Sequence, residues 1–292
     1  MGDLYRAFGL MFDSEYELPG ALPVTRVHGV DGGSADVAIL RRSIPTSQWR
    51  DRRGLFALLG EALVVSLPGC GNFLCDRGDA ILVDPVSGAN DDEIGRALCA
   101  FALPALLWIR GEVLLHAGAA VLPATDKAIV IAGHIGSGKS TILQELVRLG
   151  AQVLADDVVC LSRQSQVSGL PAILNPRRDG SACDRRHCVV VPVAQRCGSA
   201  VLGAIYTLSI VRSTERATIA SLLPEQCVQA LLEHRYRPRV PRILGLARNV
   251  LPHLGCIARS VPMYEWQRCE GRLALQDSEF SALAEDRDCP AI

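Results

Sequence analysis

The sequence has 292 residues, a formal net charge of −1 and 49% hydrophobic residues. This composition is typical of a folded protein with one large or two small domains, and the near-zero net charge argues against a binder of nucleic acid. Eleven cysteines are present, but their odd number and the length of the chain argue against a disulfide framework. The sequence begins without an apolar signal segment, and its longest apolar run, residues 97–109, is too short to cross a bilayer. We therefore expect a cytoplasmic protein that does not bind a membrane.

The first hundred residues predict a β-rich region with little recognisable chemistry. Residues 5–12 and 35–40 have the apolar patterning of strands, and residues 72–75 and 80–83 predict the two arms of a hairpin. No pairing of a nucleophile with a base stands out here. We assign residues 1–100 to an N-terminal region that supports a site or recognises a partner.

A helix is predicted where this region ends. Asp91 and Asp92 are typical of a helix start, and the apolar pattern then continues toward Leu107. Pro104 is expected to bend or end this helix, because proline cannot donate a backbone hydrogen bond. We assign the remaining residues, 101–292, to a second domain.

The second domain contains a glycine-rich run that fits the phosphate-binding pattern G-x-x-x-x-G-K-[ST]. In such a loop the glycines let backbone N–H groups approach phosphate oxygens, the lysine supplies a positive charge and the hydroxyl binds Mg²⁺. The chain has only two lysines, Lys127 and Lys139, and one of them stands at the motif position. The residues assigned to nucleotide binding are Gly133, Gly136, Ser137, Gly138, Lys139, Ser140 and Thr141.

The flanks of the run are those that a phosphate loop requires. Residues 128–132 are apolar and β-branched and predict a buried strand, and residues 141–149 predict a helix that Gly150 ends. A strand, a glycine loop and a helix start place the positive end of the helix dipole at the bound phosphates. We therefore expect ATP to bind at this loop.

Two adjacent carboxylates follow the next predicted strand. Residues 152–155 are apolar, and Asp156 and Asp157 come directly after them. Such a pair can hold Mg²⁺, or one carboxylate can accept a proton from an attacking hydroxyl group. The alternative is a turn with two hydrated aspartates. The position of the pair, at a strand end just after the phosphate loop, favours a functional role.

One histidine precedes the phosphate loop inside an apolar segment. His116 lies within residues 112–119, which predict a strand. A single histidine in such a segment is either a core residue with its hydrogen bonds satisfied or part of a site, and the pattern alone leaves both interpretations open.

Together these residues resemble the catalytic core of the HPr kinase/phosphorylase family. The resemblance covers residues 111–163 and consists of His116, the phosphate loop and the Leu-Ala-Asp-Asp strand end at residues 154–157. It implies an α/β fold with a phosphoenolpyruvate-carboxykinase-like P-loop kinase core, and the cofactors ATP and Mg²⁺. It further implies that Lys139 contacts the phosphates and that Ser140 and Asp156 bind the metal. The implied proton acceptor is Asp157, with His116 beside it.

Other parts of the sequence resemble a subgroup of HPr-kinase-related proteins found in peptide-modification clusters. These parts are residues 5–10, 169–171 and 203–206. Some members of the subgroup, beside lasso-peptide biosynthesis genes, phosphorylate a precursor peptide on serine. The second signature of the bifunctional enzymes, an Ile-Glu-Val-Arg-Gly-like run, has no counterpart here. The resemblance therefore implies a peptide or small protein substrate rather than HPr, and it includes hexameric members, so a homo-oligomer is possible.

Arginines and cysteines in the second domain leave alternatives open. Arg235, Arg237, Arg239, Arg242 and Arg248 form either a hydrated surface or a clamp for ATP phosphates or an acidic peptide. Arginines at positions 177, 178, 185 and 186 have the same two interpretations. Cys183, His187, Cys188 and Cys197 cluster in sequence, but their spacing is not that of a standard zinc site.

Three functions agree with these observations. The first is an ATP-dependent serine kinase that acts on a peptide or protein, with Lys139, His116 and Asp157 as catalytic residues. The second is a kinase for a small hydroxylated molecule on the same core. The third is a non-catalytic protein that binds ATP and a biosynthetic partner.

Overall fold

The structure, a computed structural model, describes residues 2–25, 34–123, 125–174, 188–212, 217–270 and 275–284. Several residues singled out from the sequence lie outside these ranges: Cys183, His187 and the arginines at 177, 178, 185 and 186. The fold is mixed α/β with two large sheets.

The chain forms two compact units. One contains Met1–Glu112 and Arg237–Val250, and the other contains Val113–Tyr236 and Leu251–Ile292. Compactness does not show that a unit folds alone, so the domain boundary placed at residue 100 stays a prediction.

The first unit contains a nine-stranded sheet with the order β3-β1-β2-β4-β9-β8-β7-β6-β5. Its core consists of side chains that alternate along the strands, such as Val37 and Ile39, which are fully buried. Its strands are β1 (Asp3–Ala7), β2 (Leu10–Ser14), β3 (Leu22–Val24), β4 (Val37–Arg41), β5 (Arg50–Arg53), β6 (Phe56–Leu59), β7 (Ala62–Leu67), β8 (Gly71–Asp76) and β9 (Ala80–Pro85).

The predicted strand over residues 5–12 is a hairpin instead of one strand. Phe8 and Gly9 have φ angles of 51° and 75° and reverse the chain between β1 and β2. The apolar pattern does not predict this turn, because a non-glycine residue with positive φ is uncommon and Phe8 continues the pattern. The hairpin predicted at residues 72–83 is confirmed, since β8 and β9 pair antiparallel.

The helix predicted from Asp91 is divided into three parts. Helix α1 (Asp91–Ala97) starts at Asn90, whose side chain accepts from the Asp92 N–H at 2.8 Å. A π-helical turn (Leu98–Ala102) follows, and α2 (Leu103–Ile109) begins after it. Pro104 lies in the first turn of α2, directly after the π-helical turn, so the segment changes its helical form just before the proline and does not end there.

The second unit contains a mixed sheet with the order β10-β14-β15-β18-β12-β11-β13, to which β20 and then β19 are added beside β18. A separate pair is formed by β16 and β17. The strands are β10 (Val113–Leu115), β11 (Ala117–Val121), β12 (Lys127–Gly133), β13 (Gln152–Ala155), β14 (Val159–Leu161), β15 (Gln166–Ser168), β16 (Ile173–Leu174), β17 (Val189–Val190), β18 (Ser199–Val211), β19 (Thr218–Ser221) and β20 (Met263–Cys269).

The strands predicted around the phosphate loop are confirmed, and their directions differ. Strand β12 runs parallel to β18 and antiparallel to β11, and β18 runs parallel to β20. The sheet is therefore not the all-parallel sheet of common P-loop proteins. The carboxyl ends of β12 and β18 lie together, which is the edge where α/β sheets bind ligands.

The α-helices that follow β12 in the chain are α3 (Lys139–Arg148), α4 (Pro224–Glu233), α5 (Arg239–Ile243), α6 (Ala247–Ser260) and α7 (Asp277–Ala284), of which α5 and the start of α6 belong to the first unit. Ile142, Leu143 and Leu146 of α3 are fully buried in one core with β11, β12 and β18. This face of α3 is the one that its apolar spacing predicts. The helix predicted over residues 226–232 is confirmed as α4.

A buried ion pair joins the last helix, α7, to strand β20. Arg268 on β20 donates from Nε to Glu279 Oε1 at 2.8 Å, and both side chains are almost fully buried. Trp266 Nε1 donates to the same oxygen at 3.1 Å. No helix within the described ranges is long and apolar enough to cross a bilayer.

Candidate active site

The glycine-rich run forms a tight loop between β12 and α3. Gly136 and Gly138 have φ angles of 86° and 92°, which glycine adopts at little cost. A side chain at Gly133 would approach Ser137 Oγ to 2.7 Å and Leu208 O to 2.8 Å, so this position has no room for a Cβ. Lys139 follows Gly138 as the first residue of α3, so the predicted helix is present but begins before the expected start at Thr141.

The Lys139 ammonium group is buried inside the loop. The residue is 6% exposed, and Nζ donates to Gly133 O at 2.7 Å and to His134 O at 3.0 Å. A buried cation requires such acceptors, because desolvation of an ammonium group is costly. These bonds hold the lysine under the loop backbone, where it adds positive charge to the helix start.

The loop has the donors that an anion requires. Ser137 Oγ is buried and has no hydrogen-bond partner among the described residues. The first N–H groups of α3 have no acceptor within the helix, and the helix dipole adds partial positive charge there. The cradle therefore fits a phosphate group.

Asp156 and Ser140 form the first of two carboxylate contacts. Ser140 Oγ donates to Asp156 Oδ1 at 2.9 Å, and Asp156 is 6% exposed. The contact joins the first turn of α3 to the end of β13. A hydroxyl and a carboxylate at this spacing are two oxygen ligands of the kind that Mg²⁺ prefers.

The Asp157 side chain contacts His116, whereas that of Asp156 contacts Ser140. The backbone O and the Oδ1 of Asp157 both lie 3.1 Å from His116 Nδ1, and its side chain is about half exposed. The backbone φ of Asp157 is 74°, in the left-handed region. This conformation turns the chain between the two aspartates, so that adjacent carboxylates serve different partners.

The His116 ring also contacts Lys139. Its Nε2 lies 3.3 Å from Lys139 Nζ, which can only donate. The Nε2 atom must therefore accept, and the proton of the neutral ring is on Nδ1, where it can be donated to Asp157. The imidazole thus joins the lysine of the loop to the second aspartate through one defined tautomer.

Backbone contacts fix the position of His116. The predicted strand over residues 112–119 is interrupted at His116, where β10 ends and β11 has not begun. The His116 N–H donates to His234 O at 2.7 Å, and the Tyr236 N–H donates to Leu114 O at 2.8 Å. The segment after α4 therefore holds the histidine at a break between two strands.

The sequence analysis did not identify the contacts made by the last residue of α4 and by the residue that follows it. Glu233 Oε1 lies 2.8 Å from His134 Nε2 in the loop. The His134 and His234 rings meet edge to face, with centroids 5.2 Å apart. The only signal in the sequence was the polar Glu-His pair at the end of a predicted helix, and nothing in its spacing connected it to the loop.

Burial lowers the pKa of His234 to about 4, from an ordinary 6.5. Glu233 opposes this shift, while His134, Lys139 and His116 add to it because positive charges nearby disfavour a further proton. His234 is therefore neutral at physiological pH.

A cleft of about 320 Å³ opens beside the loop, between the sheet and α4. Thr207, Ser209 and Glu265 line it from β18 and β20, and α4 covers the opposite side. The remaining lining residues are His134, Leu208, Leu222, Gln226, Gln229, Ala230, Glu233 and His234. Its volume is at the lower end of the range of small-ligand sites.

The arginine-rich segment is divided between the two units. Arg237 donates from Nε to Ala100 O at 3.0 Å, and its guanidinium carbon lies 3.7 Å from the centroid of the Phe101 ring. This arginine has a packing role within the first unit. Arg239, Arg242 and Arg248 are exposed. Recognition of a peptide by this segment stays a prediction.

Within the described ranges, no three His, Cys, Asp or Glu side chains converge to bind a metal by themselves. Ser140 and Asp156 fit Mg²⁺ only together with phosphate oxygens and water, which is the usual arrangement for this ion in kinases. The structure thus forms two contact groups at the loop, His116 with Lys139 and Asp157, and Ser140 with Asp156. Gly133, Gly136, Ser137 and Gly138 form the loop, and Thr141 lies in the first turn of α3.

No protein-family model matches the chain, and no curated protein matches it. Among solved structures, the Hpr(Ser) kinase/phosphatase from Coxiella burnetii aligns with 47% of this chain and 94% of its own chain, at 16% identity and a TM-score of 0.29. A similarity this low carries no argument about function. The functional assignment therefore depends on the geometry of the site.

The low pKa of His234 predicts a loss of stability in mild acid. As the pH falls from 6.5 toward 4, the unfolded chain binds a proton at His234 that the folded protein does not bind. The free energy of unfolding then falls by at most about 1.4 kcal/mol per pH unit from this group. We expect His234→Gln to remove this contribution, so urea unfolding at pH 7, 6 and 5 should show the wild type losing stability relative to the variant. An equal loss of stability with falling pH in the wild type and the variant would contradict the lowered pKa of His234.

Proposed function

We propose that this protein is an ATP-dependent kinase that transfers the γ-phosphoryl group to a serine hydroxyl of a peptide or small protein. The observation that carries the proposal is the His116 ring, which joins Lys139 of the phosphate loop to Asp157. A phosphate-binding cation and a carboxylate that can accept a proton therefore lie on the two sides of one imidazole. A structural loop would not need this connection.

The phosphate groups are assigned to the loop. The N–H groups at the start of α3, the Ser137 hydroxyl and Lys139 supply donors and positive charge, and the glycines allow the backbone to approach closely. Lys139 at present donates to two loop carbonyls. A bound triphosphate offers it a stronger, charge-assisted acceptor.

Ser140 and Asp156 are assigned to Mg²⁺. They lie in contact at the start of α3, beside the predicted phosphate position. When bound, the ion neutralises phosphate charge and orients the transferred group.

Asp157 is assigned as the proton acceptor. The serine oxygen forms a bond to the γ-phosphorus, the bond from that phosphorus to the oxygen of ADP breaks, and the serine proton goes to Asp157. The His116 Nδ1–H faces both the backbone O and the Oδ1 of Asp157, each at 3.1 Å, and so holds the residue and its carboxylate beside the ring. The half-exposed side chain of Asp157 leaves it accessible to an acceptor.

The serine peptide is proposed from the sequence resemblance, which also suggests a biosynthetic precursor peptide and a cytoplasmic site of action. A kinase for a small hydroxylated molecule and a non-catalytic ATP-binding protein are the other candidates. Incubation with γ-labelled ATP separates them. Label on a peptide supports the first, label on a metabolite the second, and ATP binding without transfer the third.

Removing the loop lysine is expected to abolish transfer. Lys139→Ala deletes the only lysine in the loop, so both ATP affinity and turnover should fall, with turnover lost by at least about a hundredfold. The matched control is Lys127→Ala, because Lys127 is the other lysine of the chain and is exposed at the start of β12. ATP binding by calorimetry and label transfer measure the two effects. Wild-type turnover in Lys139→Ala would contradict the phosphate-loop assignment.

The Asp157→Asn and Asp156→Asn variants are expected to lose turnover for different reasons. Asp157→Asn keeps the shape but removes the proton acceptor, so turnover should fall by about a hundredfold or more with little change in ATP affinity. Asp156→Asn should act through the metal, so added Mg²⁺ should restore part of its turnover. Steady-state kinetics over a Mg²⁺ series test this division. Equal losses in the two variants, with no rescue by the metal, would count against it.

A further inference from the structure

We infer that the cleft beside the loop binds the phosphate acceptor and selects a peptide with a basic residue next to its serine. This inference rests on the proposed function and names the acceptor class of the same site. It follows from three features of the cleft: its position, its charge and an unsatisfied hydroxyl group.

The position of the cleft favours the acceptor over the nucleotide. Glu233 and His234 form one of its ends, and the His234 carbonyl accepts the His116 N–H at 2.7 Å. That end therefore adjoins the ring that contacts Asp157. We therefore place the acceptor hydroxyl on the His116 side of Asp157.

The face of the sheet supports the same assignment. Tyr206 of β18 packs in the core with α3, while Thr207 and Ser209 line the cleft; Leu208, between them, belongs to both sets. Alternate residues of a strand point to opposite faces, so the cleft lies on the face opposite α3. The body of the cleft is thus separated by the sheet from the helix whose first turn is assigned to the phosphates.

The lining charges select a cationic or neutral acceptor. Glu233 and Glu265 line the cleft, and no lysine or arginine lines it among the described residues. The low pKa of His234 keeps that residue uncharged at neutral pH. Glu233 lies against His134, whereas Glu265 has no ion-pair partner in the described part of the chain. An acidic acceptor or a triphosphate would be repelled here, and a lysine or arginine side chain would be attracted.

The polar lining has unused hydrogen-bonding capacity. The Ser209 Oγ atom is buried and has no hydrogen-bond partner among the described residues. Gln226 and Gln229 face the same space from α4. A short peptide segment, with its alternating N–H and C=O groups, satisfies such donors and acceptors, and the volume of about 320 Å³ accommodates little more than the serine and one neighbour.

Peptide binding without ATP tests the inference. The probes are two short serine peptides that differ only in the residue before the serine, which is lysine in one and glutamate in the other. We expect the wild type to bind the lysine peptide at least about tenfold more tightly. Glu265→Gln should reduce this ratio severalfold. The control Glu225→Gln, at an exposed position of α4 outside the cleft, should leave the ratio unchanged.

Three results would overturn the inference: no binding of either peptide, a preference for the glutamate peptide, or an unchanged ratio in Glu265→Gln. A loss of ATP affinity in Glu265→Gln with equal binding of both peptides would assign the cleft to the nucleotide and also reject it. ATP binding together with release of label from γ-labelled ATP by the wild type, with Lys139→Ala as the reference, reports on the proposed function and not on the cleft. Failure of the kinase assignment is therefore distinguishable from failure of the acceptor assignment.

Discussion

The position of the His116 ring between Lys139 and Asp157 is the interaction on which the proposed chemistry depends. Lysine can only donate, so its contact at 3.3 Å makes Nε2 an acceptor and puts the proton of the neutral ring on Nδ1. That proton faces Asp157, whose backbone O and Oδ1 both lie 3.1 Å from Nδ1. One contact thereby fixes the tautomer that the next contact requires, and the orientation of the proton acceptor follows from the position of the phosphate-binding lysine.

The surrounding backbone is arranged to hold this ring. The strand predicted around His116 is interrupted at that residue, because β10 ends before it and β11 begins after it. The His116 N–H donates to the carbonyl of His234. The left-handed backbone at Asp157 directs one aspartate to His116 and leaves its neighbour with Ser140. A left-handed backbone at a non-glycine residue, here the second of two adjacent aspartates, is often found at functional sites. All of these residues lie in one compact unit.

The sequence predicted the local parts of the site and missed the contacts between distant segments. The loop and the helix after it follow from glycine conformations and from the spacing of Ile142, Leu143 and Leu146, which are local properties. The aspartates stood out because they end an apolar strand. The contact of Glu233 with His134 joins residues far apart in the chain, and no periodicity encodes such a pairing. The turn at Phe8 was missed for another reason: the apolar pattern continues through a residue whose φ angle reverses the chain.

The most direct test of this account is turnover per folded molecule in His116→Gln, measured together with the thermal midpoint. Glutamine cannot join Lys139 and Asp157 through one rigid ring, so Asp157 loses its fixed orientation. The account predicts a loss of turnover of about ten- to a hundredfold, with a thermal midpoint close to that of the wild type. A lowered midpoint, with the remaining folded protein turning over at the wild-type rate, would contradict it and make His116 a structural residue.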